Sequence, residues 1–303
     1  MDRILDVRPR DLIHIKGKAL LDSIRAAEGR TLICEIVCPV MPLLWDVTNA
    51  ELVAAFGADI ILLNLYDVNA PDIFGIKPQE GESMIQAVKR LTGRAVGINL
   101  EPVDLEQPVL GERINLEPGR IASRENVRRA YEQGVQLITL TGNPKTGVTN
   151  GQIEKAIRET RQELGDNIII IAGKMHGAGT GGEMGKSIID KDVIEKFLEA
   201  GADIILLPAP GTVPGITLDF VKEMGEFIHQ RGALLLTTIG TSQEGADEQT
   251  IKSIALHAKM AGADLHHIGD GGYTGTAIPE NIMVYSIVIR GRRHTYRRMA
   301  MRL

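Results

Sequence analysis

Eight short apolar runs recur along the 303 residues, each introduced by a glycine one to three positions earlier. The glycines are Gly29, Gly57, Gly93, Gly134, Gly165, Gly201, Gly232 and Gly262, spaced 28 to 41 residues apart. A helix that ends on a left-handed cap favours glycine there, so each interval holds one strand, one helix and two loops. The runs are apolar throughout, as in Ile168-Ile-Ile-Ile-Ala172, which is how strands buried on both faces of a parallel sheet read. Eight even units with no obvious insertion predict a TIM (β/α)8 barrel. An open doubly wound sheet is the structural alternative.

The expected strands cover 31–37, 58–64, 95–101, 136–141, 168–174, 203–208, 233–239 and 264–269. Helices are expected near 47–56, 81–92, 123–133, 150–164, 190–200, 217–230, 247–261 and 279–290. A further N-terminal helix is expected over 9–28, with Pro9 early and Gly29 just after. The chain then reads as one domain: an N-terminal helical segment (1–30), a barrel (31–290) and a basic C-terminal tail (291–303). That tail region carries Arg292, Arg293, Arg297, Arg298 and Arg302 just after Arg290, a run expected to be solvated or to meet another subunit. Phe56-Gly-Ala-Asp-Ile-Ile-Leu-Leu63 and Ala200-Gly-Ala-Asp-Ile-Ile-Leu-Leu207 agree at seven of eight positions, and Ala261-Gly-Ala-Asp264 opens the last strand. These matches fit a barrel of repeated units, although Gly-Ala-Asp is also simply a good helix-to-strand turn.

Composition narrows the partners. A net charge of −5 and a pI near 5.9 argue against nucleic acid, and no apolar run reaches the ~18 residues that span a bilayer. The N-terminus lacks a signal peptide's apolar stretch, so a cytoplasmic protein is expected. Cys34 and Cys38 lie on one strand roughly 13 Å apart, too far for a disulfide, and read as packing residues facing the helices.

Polar residues collect at the C-terminal ends of the strands, where barrels carry their active sites. They are Glu35, Asn64, Asp67, Asn99, Glu101, Thr141, Asn143, Lys174, His176, Thr237, Thr238, His266, His267 and Asp270. Period-two alternation puts Asn99 with Glu101, Thr141 with Asn143 and Lys174 with His176 on shared faces. Polar groups converging on one end of apolar strands are costly unless they line a solvated site. Lys174 has three readings: a Schiff-base amine of lowered pKa, a fixed cation for a phosphate or carboxylate, or an ion pair with Glu35 or Glu101. His176 is a candidate base, metal ligand or structural histidine. Glu35, Glu101, His176, one of the pair His266/His267, and Asp270 are the right ligand types for a divalent metal, but no metal-binding spacing supports one.

Two glycine-rich loops read as an anion cradle: Gly240, Thr241 and Ser242 after the seventh strand, and Gly269, Gly271 and Gly272 after the eighth. A similar loop, 141–147, follows the fourth. Asp190-Lys-Asp192-Val is like the opening of a dehalogenase motif, but it begins a helix, where Asp190 reads as an N-cap.

On the Gly-Ala-Asp leaders and the Gly269-Asp-Gly-Gly272 loop, the chain resembles the phosphate-binding TIM barrels over residues 29–290. It is also similar to a bacterial barrel family sometimes labelled dehalogenase-like, and Gly97-Ile-Asn99 and Asn64-Leu-Tyr-Asp67 resemble the BtpA family. Known aldolase families commonly place the Schiff-base lysine on strand six, whereas Lys174 is on strand five.

The expectation is a homo-oligomeric TIM-barrel enzyme acting on a small, anionic, phosphorylated or carboxylated metabolite by lyase or aldolase chemistry. Lys174, His176, Glu101, Glu35 and Asp270 would be catalytic, and Asn64, Asn99, Thr141, Asn143, Thr238 and His267 would bind substrate. Alternatives are a metal-dependent hydrolase, an FMN-binding oxidoreductase, and a barrel that binds or assembles without catalysis.

Overall fold

Each glycine-led run is a strand: β1 (Thr31–Val37), β2 (Ile60–Asn64), β3 (Ala95–Leu100), β4 (Leu137–Leu140), β5 (Ile169–Gly173), β6 (Ile204–Pro208), β7 (Leu234–Ile239) and β8 (Leu265–Ile268). In the computed structural model they pair in parallel in sequence order, and β8 returns to β1 to close the barrel. Residues 2–106, 108–109, 111–177, 180–271 and 274–301 are described. Several strands are one or two residues shorter than the apolar runs, because pattern does not register where the ladder stops. The helices are α1 (Pro9–Leu12), α2 (Gly17–Arg25), α3 (Asn49–Ala55), α4 (Met84–Thr92), α5 (Arg124–Gln133), α6 (Asn150–Leu164), α7 (Lys191–Ala200), α8 (Leu218–Gln230), α9 (Glu248–Met260) and α10 (Pro279–Ala300). The glycines before the strands do take left-handed φ, 109° at Gly201 and 89° at Gly262.

Strand residues alternate between two apolar clusters. Leu32, Cys34, Ile36, Ile61, Ile138 and Ile170 pack with the helices. Ile33, Leu62, Leu137, Ile169, Ile171, Leu206 and Leu236 fill the barrel together with Leu12, Leu20 and Ile24 from α1 and α2. The N-terminal helices therefore plug one end of the barrel. They are two short helices rather than one: Lys16 is extended, and Gly17 (φ 51°) sits where a Cβ would fall 2.2 Å from the Asp166 carbonyl oxygen. Both cysteines are free and buried on the helix side, and burial pushes their thiols well above the ordinary range.

The Gly-Ala-Asp repeat has a structural cause beyond a turn. Asp59 Oδ2 accepts the backbone N–H of Leu32 at 2.8 Å, Asp203 Oδ2 that of Ile170 at 2.8 Å, and Asp264 Oδ2 that of Leu235 at 2.8 Å. Gln136 does the same for Val96 through its side-chain oxygen at 3.1 Å. A side chain just before each of these strands thus pairs an N–H of its neighbour where the ladder has not yet begun. Each aspartate has its own cation or imidazole: Arg161 Nη2 lies 2.7 Å from Asp203 and His229 Nε2 2.7 Å from Asp264. Asp59 is fully buried and pairs with both Arg290 and Arg298.

That pairing corrects the reading of the C-terminal segment. Residues 291–300 are not a basic tail but the continuation of α10 past a kink at Gly291. Arg290 and Arg298 are buried, and Arg298 also donates to the Ile4 carbonyl. Arg94 joins them, donating to the carbonyls of Ala58 (2.7 Å), Ala54 (3.1 Å) and Arg298 (2.8 Å). Asp190 caps α7, its carboxylate accepting from Val193 N at 2.8 Å.

Candidate active site

At the C-terminal ends of the strands a cavity of about 230 Å³ opens between the loops. Inward-facing side chains reach it strand by strand. Glu35 comes from β1, Asn64 from β2, Asn99 from β3, and Thr141 and Asn143 from just past β4. His176 and Asp270 reach it from the segments after β5 and β8. The loop after β7 contributes Gly240, Ser242 and a residue the sequence reading passed over, Glu244. Asn64, Asn99 and Glu35 are all nearly buried, so their polar atoms depend on one another.

They form a continuous network. Asn64 Nδ2 donates to Glu35 Oε1 and to Asn143 Oδ1, both at 2.9 Å. Asn143 Nδ2 returns a bond to Asn64 Oδ1 at 3.0 Å and donates to Glu101 Oε1 at 2.9 Å. Glu101 does not line the cavity. It stands behind Asn143, accepts that residue's backbone N–H at 2.8 Å, and pairs with Arg120 at 2.7 Å. Glu35 Oε2 is hydrogen-bonded to His267 Nε2 at 3.0 Å. His267 faces inward and is fully buried, whereas His266 faces α10 beside the Tyr285 hydroxyl at 3.3 Å. Burial lowers the His266 imidazole to about 4, which keeps it neutral. Two mouth residues hold left-handed backbones despite having side chains, Leu65 (φ 58°) and Ser242 (φ 78°), a strain typical of functional loops.

The expected residues divide. Thr238 donates to the Leu207 carbonyl at 3.1 Å and Thr241 to the Thr212 carbonyl at 2.8 Å, and neither lines the cavity. Gly269 lines it; Gly272 lies outside the described residues. Lys174 does not line the cavity, although His176 two residues later does. Ile169, Ile171 and Met175 belong to the inner cluster, while Ile170 and Ala172 face the helices. Past the end of β5 the alternation no longer holds, and Lys174 is 1% exposed with its ammonium on Glu183. Glu183 in turn accepts the N–H of Asn150 in the first turn of α6 at 3.2 Å. Burial lowers the Lys174 pKa, against the raising pull of Glu183.

The β7 and β8 loops, read as an anion cradle, already surround a carboxylate. The Gly271 amide hydrogen-bonds the Glu244 side chain, and a Cβ on Gly269 would fall 2.6 Å from Glu244 Oε1. Two carboxyls facing one cavity are pushed in opposite directions. Burial raises Glu35, but its hydrogen bonds with His267, Asn64 and the Asp270 carboxyl outweigh it, and the group sits below its ordinary range. Burial dominates at Glu244, helped by the nearby Glu35 charge, and raises it above the ordinary 4.5. A raised acid contributes stability that is fully present below the unfolded pKa and lost as pH rises through the folded one. Glu244→Gln should therefore gain stability relative to the unsubstituted protein as pH is raised above about 4.5. Thermal unfolding at several pH values checks this, and a constant difference would mean that Glu244 titrates normally.

Burial also lowers His176, with Glu35 pulling it up and Lys174 down. Among the described residues no group of three or more histidine, cysteine, aspartate or glutamate side chains is arranged to hold a metal ion. Nor is any helix long and apolar enough to cross a membrane.

A closed eight-stranded parallel barrel with its polar residues gathered at one mouth defines a TIM-barrel protein. The chain belongs to the family described as Domain of unknown function (DUF7916), whose model matches residues 5–303. No curated protein matches it. Among solved structures it is similar to a Coccidioides immitis protein assigned as a fructose-1,6-biphosphate aldolase, at 13% identity and TM-score 0.52, over 91% of this chain and 97% of that one. It is also similar to 2,3-dimethylmalate lyase, of the PEP mutase/isocitrate lyase superfamily, at 14% identity and TM-score 0.50, over 84% of this chain and 81% of that one. At these identities the likeness is one of fold.

Proposed function

We propose that the chain is a TIM-barrel enzyme of lyase type, in which Glu35 acts as general base and Glu244 as general acid on a small β-hydroxy carbonyl substrate. The observation that carries this reading is a pair of carboxyls on one cavity in opposite surroundings, Glu35 hydrogen-bonded by Asn64 and His267 and Glu244 buried with one oxygen unpartnered among the described residues. Such a pair separates the acid role from the base role at a single pH. Glu35 takes the proton of the substrate hydroxyl, and the C–C bond beside that carbon breaks as the hydroxyl carbon becomes a carbonyl. The electron pair moves onto the neighbouring carbonyl oxygen, which receives the Glu244 proton to leave as an enol. The proton on Glu35 then returns to Glu244 through solvent. Two solved barrels of similar fold carry aldolase and lyase names, which is compatible with this chemistry.

Incubation of candidate carbonyl compounds in D2O should show solvent deuterium entering the substrate or product at the carbon next to the carbonyl. A barrel that only binds or assembles would show none. In this reading Lys174 positions Glu183 and the loop before α7 rather than forming an adduct. Borohydride treatment with keto and aldehyde compounds should leave Lys174 unmodified, and a trapped adduct on it would restore the Schiff-base route.

A further inference from the structure

The chemistry of the cavity also selects its ligand. We infer that the site takes a small uncharged polyhydroxy compound rather than a phosphate ester or a carboxylate, a conclusion that rests on the proposed reading of this cavity as the active site. Charge is the first observation. Glu35, Glu244 and Asp270 line the cavity, and no lysine or arginine is among its described lining residues. Lys174 and Arg120, which stand behind the mouth, are engaged by the protein's own carboxylates, Lys174 by Glu183 and Arg120 by Glu101 and Glu117. A bound anion would face the Glu35 carboxylate, with no lysine or arginine among the described lining residues to offset it.

The second observation is independent of charge. Three lining side chains present buried polar atoms that find no hydrogen-bond partner among the described residues: Asn99 Oδ1, Glu244 Oε2 and Thr141 Oγ1. These residues are 5%, 4% and 3% exposed. The Asn99 amide is oriented by donating to Asn64 Oδ1 at 3.4 Å, which leaves its oxygen as the open atom. Asn99 Oδ1 is an acceptor, and Thr141 both donates and accepts. Ligand hydroxyls supply donors and acceptors together, whereas an ionised phosphate or carboxylate supplies acceptors only. One amide of the glycine-rich loops is also occupied, since the Gly271 N–H already serves Glu244. At about 230 Å³ the cavity lies below the ~300 Å³ at which ordinary ligand pockets begin, so the compound is small.

The test uses the full chain with aldoses and alditols of three to six carbons, each beside its phosphate ester and its aldonic acid. Binding is read by ligand-observed NMR and thermal shift, with inorganic phosphate as a competitor. Neutral members should bind, their phosphate esters and acids at least about tenfold more weakly, and inorganic phosphate should not compete. Thr141→Val should weaken the neutral ligands while leaving the unfolding temperature of the free protein nearly unchanged. An ester or acid that binds as tightly as its neutral parent overturns the inference, as does a panel in which no neutral compound binds at millimolar concentration. Glu35→Gln should keep binding while losing deuterium exchange. Anion preference therefore overturns this inference alone, and exchange that survives in Glu35→Gln overturns the acid–base reading alone.

Discussion

Glu35→Gln should lower turnover by a factor of about 10² to 10⁴ while leaving the fold and ligand binding in place, the range expected for losing one positioned acid–base group. Glutamine keeps the length and the acceptor oxygen, so Asn64 can still donate to position 35. What disappears is the carboxylate that His267, Asn64 and Asp270 hold in its charged form. The activity of the unsubstituted protein should accordingly fall on the acid side as Glu35 takes up a proton, at a pH below the ordinary carboxylate range. On the alkaline side it should fall as Glu244 gives its proton up, at a pH above that range. The resulting bell is checked by a pH–rate profile, and Glu244→Gln should remove its alkaline limb. A profile that rises steadily with pH would instead point to a base such as His176.

The largest effect on stability is expected from Asp59→Ala. Asp59 compensates two guanidiniums whose side chains are 0% and 1% exposed, Arg290 and Arg298, and pairs the Leu32 N–H. Removing one partner of a buried ion pair leaves the other charge stranded, which costs about 3–5 kcal/mol. For a chain of this size that is a fall in Tm on the order of 5–10 °C. Equilibrium urea unfolding measures it directly. A loss of less than about 1 kcal/mol would mean that water reaches the guanidiniums once the carboxylate is gone. Replacing Asp59, Arg290 and Arg298 together by apolar residues of similar volume should recover much of the loss, since buried ionic clusters are often matched by good apolar packing.

The barrel was legible because its signals are local. A glycine cap and an apolar run lie within a few residues of each other, and eight repeats of the pair leave few other folds. The polar residues at the strand ends were legible for the same reason, and Asn64, Asn99, Thr141 and Asn143 do meet in the cavity. Lys174 was misplaced because Ile168–Ile171 is apolar on both faces. Such a run carries no alternation from which to tell inside from outside. Met175 takes an inward position, and both Lys174 and His176 lie past the end of β5, where strand alternation no longer assigns a face. Glu244 was hidden in a loop whose small residues suggested an anion's cradle, when the loop holds an acid of its own. Arg292, Arg293 and Arg297 are exposed as expected, but Arg290 and Arg298 also looked solvated because charge content alone does not reveal a buried partner, 231 residues earlier in the case of Arg290.

That last separation bears on how the molecule is made. The carboxylate just before β2 is synthesised long before Arg290, and at ~5–20 residues per second the wait is roughly 10 to 50 s. Through that interval a growing chain can assemble several strands, but Asp59 lacks both guanidiniums that pair with it, and burying it without them is costly. Final closure of the barrel is thereby tied to delivery of α10, so a ribosome stalled before residue 290 would carry an open, unsealed intermediate exposed to chaperones and proteases.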